Sequence, residues 1–266
     1  MMVWIKSNTS SESWTDLRLI LSTLPLVMVD INNHVLTLME ALSDITVKSS
    51  LHDPQVTEVL DALYAEAAKS DALRRSTIQG SEVAGKTEAD FYKAARKSYM
   101  AVGRDFGNLL YSLARSTKAK TVVEFGTSFG ISTIFLASAI RDNGSGKVIT
   151  TEFEPEKAEQ AKRNLAAAGL EQWVEFRVGD ALKTLSDPPR EIDMIFLDGA
   201  KTLYFGVLKL LEPQLRSGGI VASDNTDHGG MAAFLDYVRD CRNGYTSAAI
   251  LTSGERGKAH EITVRH

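Results

Sequence analysis

Short apolar segments alternate with amphipathic segments from residue 120 onward. The apolar runs are rich in Val, Ile, Phe and Leu and have the length of buried strands, which predicts strands at 121–125, 148–151, 174–178, 192–197 and 220–222. The segments between them have helical spacing, which predicts helices at 132–141, 155–168, 181–185, 202–215 and 231–242. Because strands joined by helices form parallel sheets covered on both faces, the pattern predicts a doubly wound, Rossmann-like α/β domain.

The end of the chain departs from this alternation. Two strand-length segments, 246–251 and 261–264, flank a glycine-containing turn, and this arrangement favours an antiparallel hairpin. We therefore predict a mostly parallel seven-stranded sheet with an antiparallel last hairpin. The Gly218–Gly219 pair is expected to end the helix at 202–215 before the fifth strand begins.

Residues 1–98 have a different pattern and predict an N-terminal helical extension, so the α/β domain is assigned to residues 99–266. The apolar run 17–31 lies in a mostly polar neighbourhood. We expect the extension to act as a substrate lid, as a homodimer contact, or as both.

Local signals subdivide the first 116 residues. Asp53 and Pro54 are typical of a helix start. The stretch 70–86 is polar and is expected to be a connector, and a further helix is predicted at 99–115.

The composition and net charge indicate which kind of molecule the protein binds. The net charge is −4, and binding to a phosphate backbone needs concentrated Lys and Arg, so nucleic acid is not expected and a small molecule is. The run 17–31 is too short to cross a bilayer and lacks the basic flank of a secretory signal, so we expect no membrane association and a cytoplasmic location. The single cysteine, Cys241, excludes an intramolecular disulfide and is expected to fill the core within the helix at 231–242.

The turn after the first predicted strand is the expected ligand site, because ligands of open parallel sheets bind beyond the carboxyl ends of the strands. Residues 124–132 read Glu-Phe-Gly-Thr-Ser-Phe-Gly-Ile-Ser. Gly126 permits a close approach of the backbone to a ligand, and Gly130 lets the next helix start near the strand. The three-glycine spacing that cradles a pyrophosphate is missing, so the turn suits a ligand without phosphates.

Acidic residues end the second and third predicted strands. Glu152 can accept hydrogen bonds from ribose hydroxyls. Asp180 can meet an adenine amino group, or it can simply cap the next helix. The glycines could likewise serve turn geometry alone, but the order of the three signals on consecutive strands favours a binding site.

Residues 124–132, Glu152 and Asp180 together resemble the class I S-adenosylmethionine-dependent methyltransferases. The resemblance implies that the glycine turn lines the methionine end of the cofactor, that Glu152 holds the ribose and that Asp180 lies near the adenine. The cofactor-binding residues that it implies are Glu124, Gly126, Thr127, Ser128, Gly130, Ser132, Glu152, Asp180 and Asp198.

The fourth and fifth predicted strands also end in polar residues. Asp198 follows the fourth strand, and Asp224 and Asn225 follow the fifth. Two carboxylates and an amide oxygen are a hard donor set that suits Mg²⁺ or a similar divalent cation. The alternative without a metal is that the two aspartates cap helices and that Asn225 forms part of a turn.

This second set is similar to the catechol and caffeoyl-CoA O-methyltransferases. The similarity implies that Asp198, Asp224 and Asn225 hold the metal and that Lys201 takes the proton of the reacting hydroxyl, with Asp198 and Lys201 as the catalytic residues. We predict a Mg²⁺-dependent O-methyltransferase for small molecules with vicinal hydroxyls. The alternatives are a metal-independent methyltransferase and a non-catalytic binding protein.

The chain departs from the catechol-type enzymes at two places. Gly199 and Ala200 stand where those enzymes carry bulky residues, so a roomier or differently gated substrate pocket is expected. Glu255 is the nearest candidate for an acidic residue in the last loop that would bind a second hydroxyl.

Overall fold

The computed structural model describes residues 49–79, 95–252 and 259–266, and for residues 74–79 it describes the backbone alone. The apolar run 17–31, on which the predicted lid and homodimer contact depend, lies outside these residues, as does Glu255. No helix within the described ranges is both long enough and apolar enough to cross a membrane.

The described residues form one seven-stranded sheet in the order β3-β2-β1-β4-β5-β7-β6. Strands β1 to β5 are parallel, and β7 runs antiparallel to both of its neighbours, β5 and β6. This confirms the predicted mostly parallel sheet with an antiparallel last hairpin. The strands are β1 (Thr121–Phe125), β2 (Lys147–Glu152), β3 (Val174–Val178), β4 (Ile192–Leu197), β5 (Leu215–Ser223), β6 (Tyr245–Leu251) and β7 (Ala259–Arg265).

Helices cover both faces of the sheet, as the pattern predicted. Apolar side chains of α1 to α4 pack in one buried cluster, and those of α5 to α7 pack in another. Adjacent strand residues point to opposite faces, so that Val122 lies in the first cluster and Val123 in the second. The helices are α1 (Pro54–Gln79), α2 (Arg104–Ser116), α3 (Ile131–Asn143), α4 (Pro155–Ala167), α5 (Ala181–Thr184), α6 (Tyr204–Leu211) and α7 (Ala232–Arg239).

Two expectations for the N-terminal half were wrong. Helix α1 continues to Gln79, so residues 70–79 are helical and do not belong to a connector. The helix predicted at 99–115 begins only at Arg104, and residues 98–103 have no regular structure. Met100 has a positive φ of 48°, which ends any helix there.

Two expectations for the second half were also wrong. Strand β5 begins at Leu215, so Gly218 and Gly219 lie inside the strand, where its register with β4 shifts. Cys241 is exposed, because α7 ends at Arg239 and a short 3₁₀ turn follows. The side chain of Asp240 begins that turn by accepting a hydrogen bond from the backbone N–H of Arg242.

The strand order reverses between β1 and β4, which are neighbours in the sheet. A crevice forms beyond the carboxyl ends of parallel strands at such a reversal. The loops after β1, β2, β4 and β5 therefore meet at the edge of the sheet where the predicted ligand residues lie.

Candidate active site

The loop after β1 is pressed against the loop after β4. Gly126 has a φ of +103°, and a Cβ atom there would lie 2.6 Å from the carbonyl oxygen of Asp198. Gly130 has a φ of +88°, and a Cβ atom there would lie 2.8 Å from a methyl group of Leu165 in α4. Both positions therefore require glycine, for conformation as well as for space.

Glu124 anchors this loop from below. Its carboxylate is fully buried and accepts hydrogen bonds of 2.6 Å from the hydroxyls of Ser132, Thr133 and Thr150. Thr127 is also buried, and its hydroxyl is hydrogen-bonded to that of Thr150. Burial raises the pKa of Glu124, although the three hydroxyl donors act in the opposite direction. Glu124 therefore supports the loop from a fully buried position.

Glu152 is the last residue of β2, and backbone groups hold its carboxylate in place. Its Oε2 accepts a 2.7 Å hydrogen bond from the N–H of Ser128, and its Oε1 accepts a 3.0 Å bond from the N–H of Glu154. Ser128 has a positive φ of 48°, which directs its N–H toward the carboxylate. The structure thus brings together two of the residues predicted to bind the cofactor.

The irregular segment 98–103 forms one wall of the crevice, a role that the helical prediction missed. Tyr99 stacks on Phe129 with ring centroids 4.1 Å apart, and its carbonyl oxygen accepts a 2.8 Å hydrogen bond from the hydroxyl of Ser128. The crevice is lined by Tyr99, Met100, Ala101, Val102, Gly126, Thr127, Ser128, Phe129, Ile131, Ser132 and Asp198.

Helix α1 fixes this wall. The hydroxyl of Tyr64 donates a 3.0 Å hydrogen bond to the carbonyl oxygen of Val102. The N–H of Tyr99 donates to the hydroxyl of Ser70, at 3.3 Å. The crevice is therefore completed by residues from the N-terminal half of the chain.

A buried ammonium group lies beneath the same loop. Lys157 of α4 is only 5% exposed, and its Nζ lies 3.4 Å from the hydroxyl of Ser128. Burial lowers the pKa of Lys157, while the negative charges of Glu152 and Glu154 act in the opposite direction. Sequence reasoning missed this residue, because a lysine in the first turns of a helix looks solvated.

The apolar side chain of Phe153 is unusually exposed next to Glu152. It is 70% exposed, and Val178 and Leu182 at the ends of the neighbouring strand and helix are also exposed. Asp180 caps α5 by accepting a 3.0 Å hydrogen bond from the N–H of Leu182. The predicted adenine end of the site therefore has an exposed apolar surface, and Asp180 serves as a helix cap.

Asp198 and Asp224 converge beyond the ends of β4 and β5. The backbone hydrogen bonds of the sheet continue past the strand ends. The N–H of Asp198 donates to the carbonyl oxygen of Phe125 at 2.8 Å, and the N–H of Asp224 donates to the carbonyl oxygen of Leu197 at 2.9 Å. Burial and the charge of Asp224 raise the pKa of Asp198 well above its usual value. Burial acts to raise the pKa of Asp224 too, but the contacts with His260 and Lys201 outweigh it and hold that pKa low.

Lys201 contacts the carboxylate of Asp198 and the backbone of Asp224. Its Nζ lies 3.3 Å from Oδ1 of Asp198, 2.6 Å from the hydroxyl of Tyr204 and 3.3 Å from the carbonyl oxygen of Asp224. Tyr204 is fully buried, and its hydroxyl donates to the same carbonyl at 3.0 Å. The ammonium group is therefore held by three oxygens in a nearly buried position.

Asn225 completes the predicted metal set. It has a positive φ of 51°, and its buried Nδ2 has no hydrogen-bond acceptor among the described residues. Within the same part of the chain, no group of three or more His, Cys, Asp or Glu side chains is placed to hold a metal ion. Any cation held here would therefore depend on two carboxylates and one amide oxygen.

His260 is a further residue of the site that sequence reasoning missed. Its ring is fully buried, and its Nδ1 lies 2.7 Å from Oδ1 of Asp224. The last strand was predicted from residue 261, but β7 begins at Ala259. The long-range register of β7 with β5 brings His260 to Asp224, and no local sequence signal reports such a pairing.

Comparisons with known proteins agree with this geometry. A family model described as O-methyltransferase matches residues 81–242, more than half of the chain. The catechol O-methyltransferase of Mycobacterium tuberculosis is 34% identical over 163 residues, which cover 60% of this chain and 72% of that protein. The caffeoyl-CoA O-methyltransferase of Stellaria longipes is 30% identical over 159 residues, which cover 55% of this chain and 65% of that protein.

Solved structures give the same result. The O-methyltransferase TomG of Streptomyces achromogenes, involved in tomaymycin synthesis and solved in complex with S-adenosylmethionine, matches with a TM-score of 0.58 at 29% identity. The match covers 71% of this chain and 94% of that chain.

Proposed function

Because the chain belongs to the O-methyltransferase family, we propose that it transfers the methyl group of S-adenosylmethionine to one of two adjacent hydroxyls of a small molecule, with a divalent cation such as Mg²⁺ bound beside the acceptor. The observation that carries this proposal is the convergence of Asp198, Asp224 and Lys201 beside the glycine loop after β1.

The crevice has the features that S-adenosylmethionine requires. Glu152 is already oriented by two backbone N–H groups and keeps acceptor capacity for ribose hydroxyls. Phe153 offers an exposed ring next to it, which suits an adenine face. In this proposal Ser128 and the glycine loop face the methionine end, while Glu124 and Thr127 act from beneath by fixing the loop.

The donor set of Asp198, Asp224 and Asn225 fits a hard divalent cation. Burial and, after it, the neighbouring charge of Asp224 raise the pKa of Asp198, and Lys201 provides one compensating positive charge while no cation is bound. When bound, the cation would supply the charge that stabilises the ionised form of an acceptor hydroxyl, whose ordinary pKa is about 10 for a phenol. The side chains of the set would hold that cation.

In the proposal Lys201 acts as a neutral amine when a cation occupies the site, and in that form its Nζ receives the acceptor proton. Its Nζ is fixed by Tyr204 and by the carbonyl oxygen of Asp224, so it lies beside the Asp198 carboxylate and away from the solvent. General base catalysis requires a group held within hydrogen-bond reach of the proton it removes. Tyr204 acts through Lys201, because its own hydroxyl is buried and hydrogen-bonded.

A metal-independent methyltransferase is the second candidate. It is favoured by the contacts that already partner the carboxylates, namely Lys201 with Asp198 and His260 with Asp224. In that case both aspartates would only anchor the loops after β4 and β5.

We further propose that the N-terminal residues 1–98 act as a lid over the acceptor or as a homodimer contact. The wall formed by segment 98–103 supports this, because α1 fixes it against the cofactor loop. Sedimentation of the full chain, compared with a chain that lacks residues 1–48, tests the homodimer.

The acceptor is tested with matched pairs of aromatic diols. Transfer of a labelled methyl group is measured for catechol and for resorcinol, which has the same hydroxyls on non-adjacent carbons. We expect turnover of catechol-type acceptors in the presence of Mg²⁺ and little or no turnover of resorcinol. Equal turnover of both isomers would contradict the proposed requirement for adjacent hydroxyls.

A further inference from the structure

We propose that His260 is a positioning residue of the metal site, which holds the Asp224 carboxylate in the orientation that binds the divalent cation. This inference rests on the proposed function, because it concerns the same cation. His260 belongs to β7, whereas the proposed metal ligands follow β4 and β5.

The sheet register explains why His260 meets Asp224. Strands β5 and β7 are antiparallel, and Ser223 is paired with Glu261. One step further along both strands therefore brings Asp224 opposite His260. The N–H of Thr226 donates a 2.8 Å hydrogen bond to the carbonyl oxygen of Ala259, which fixes the backbone around this pair.

The imidazole ring is held from three sides. Its Nδ1 lies 2.7 Å from Oδ1 of Asp224, and its Nε2 lies 3.0 Å from the hydroxyl of Thr252. Its face stacks on Phe106 with centroids 3.8 Å apart and planes inclined by 13°. The ring is fully buried, so these contacts fix its position, with Nδ1 beside the carboxylate of Asp224.

A carboxylate ligand has two oxygens and rotates unless one of them is fixed. A hydrogen-bond donor on one oxygen orients the other toward the metal, and partners of this kind change metal affinity strongly. Asp224 is nearly fully buried, so water cannot replace the imidazole as a partner of Oδ1. Lys201 contacts Asp198 and the backbone carbonyl of Asp224, whereas His260 contacts the Asp224 carboxylate itself from the side of β7.

The test uses three variants that separate the donor from the packing. His260→Leu keeps an apolar side chain of similar size but has no donor. His260→Asn places an amide nitrogen near the position of Nδ1, whereas His260→Gln places one near the position of Nε2 and leaves Asp224 without its donor. The dissociation constant of Mn²⁺, which serves as a paramagnetic probe for the divalent cation, is measured by electron paramagnetic resonance in the presence of S-adenosylhomocysteine. The dissociation constant of S-adenosylmethionine is measured by calorimetry.

We expect the Leu and Gln variants to bind Mn²⁺ about tenfold or more weakly, and the Asn variant to stay within about threefold of the wild type. The affinity for S-adenosylmethionine should stay within about twofold in all three, because a purely structural defect would weaken both ligands. If the Leu variant does not fold, the contrast between Gln and Asn decides the question.

Two outcomes would overturn the inference, and they are distinguishable. Wild-type affinity for Mn²⁺ in both the Leu and the Gln variants would show that His260 does not position the ligand, while the proposed function stands. A wild-type protein that binds S-adenosylmethionine but not Mn²⁺ would refute the proposed metal dependence, and the role of His260 with it.

Discussion

The ring of Phe125 occupies the space that a side chain at Gly199 would need. A Cβ atom on Gly199 would lie 2.3 Å from Cζ of that ring and within 2.6 Å of two further ring atoms. Phe125 is the last residue of β1, and Gly199 directly follows Asp198. The ring of Phe125, from the end of β1, therefore fills the space beside Gly199, where extra room was expected.

Substitution of Gly199 by alanine should displace the Asp198 loop. The added methyl group would force Phe125 or the peptide after Asp198 to move, which costs about 1–3 kcal/mol for an overpacked site. We expect a lower free energy of unfolding in urea and a loss of methyl transfer of about tenfold or more, since small misplacements of reacting groups are costly. Ala200→Gly is the matched control and should have a much smaller effect on both. Normal activity in Gly199→Ala would show that Phe125 is not fixed against the loop.

Removal of the Glu124 carboxylate should weaken the cofactor loop. Glu124→Ala leaves the hydroxyls of Ser132, Thr133 and Thr150 without their acceptor in a buried site. We expect the free energy of unfolding to fall by about 2–4 kcal/mol and the affinity for S-adenosylmethionine to fall with it. Glu124→Gln, which keeps one acceptor oxygen, should lose less. The substitution of the exposed Glu175 by alanine is the control, and an equal loss there would contradict this account.

The pH dependence of stability should also depend on Glu124. Its pKa is raised by burial, so the folded state binds a proton more tightly than the unfolded chain, where the pKa is about 4.3. The stabilising contribution of the protonated form is complete below that value and is lost as pH rises through the folded pKa. We therefore expect the wild type to lose stability relative to Glu124→Gln as pH rises above about 4.3. Urea unfolding of both proteins at several pH values measures the difference; a constant difference would mean that Glu124 does not titrate with a raised pKa.

Lys201 should be required for turnover and dispensable for cofactor binding. Both Lys201→Met and Lys201→Arg should lower kcat by about 100-fold or more, because methionine is not a base and arginine stays protonated. Tyr204→Phe removes one of the oxygens that fix the ammonium group and should have a smaller effect. Single-turnover rates and calorimetric titration with S-adenosylmethionine separate chemistry from binding. A fully active Lys201→Met variant would remove Lys201 from the mechanism.

The strand–helix alternation was enough to predict the sheet, because the length and spacing of the apolar runs are local features of the sequence. Strands β1, β3 and β4 have the predicted limits. The helical pattern gave a wrong prediction for residues 98–103. There the stacking of Tyr99 on Phe129 and hydrogen bonds to α1 determine the conformation of the backbone. His260 and Lys157 were missed for a related reason, since their importance comes from contacts between residues distant in the chain.

The strand-end positions of Asp198 and Asp224 predicted that these two residues lie at one edge of the sheet, and the structure places them there. A strand-end position could not separate a residue that faces the ligand from one that supports the loop, because both have the same sequence signal. Glu124 illustrates this, since its burial follows from the hydroxyls of α3 and β2 around it. The contact of Gly199 with the ring of Phe125 likewise depends on packing between distant segments, and the local sequence pattern does not report it.

The most direct test of the central claim is the initial rate of methyl transfer to catechol by enzyme treated with EDTA, as Mg²⁺ is added back. We expect the rate to fall by about 100-fold or more in EDTA and to recover with saturable dependence on Mg²⁺. The variant Asp224→Asn should need a much higher concentration for recovery. A rate that is the same in EDTA and in excess Mg²⁺ would contradict the account and would favour the metal-independent enzyme.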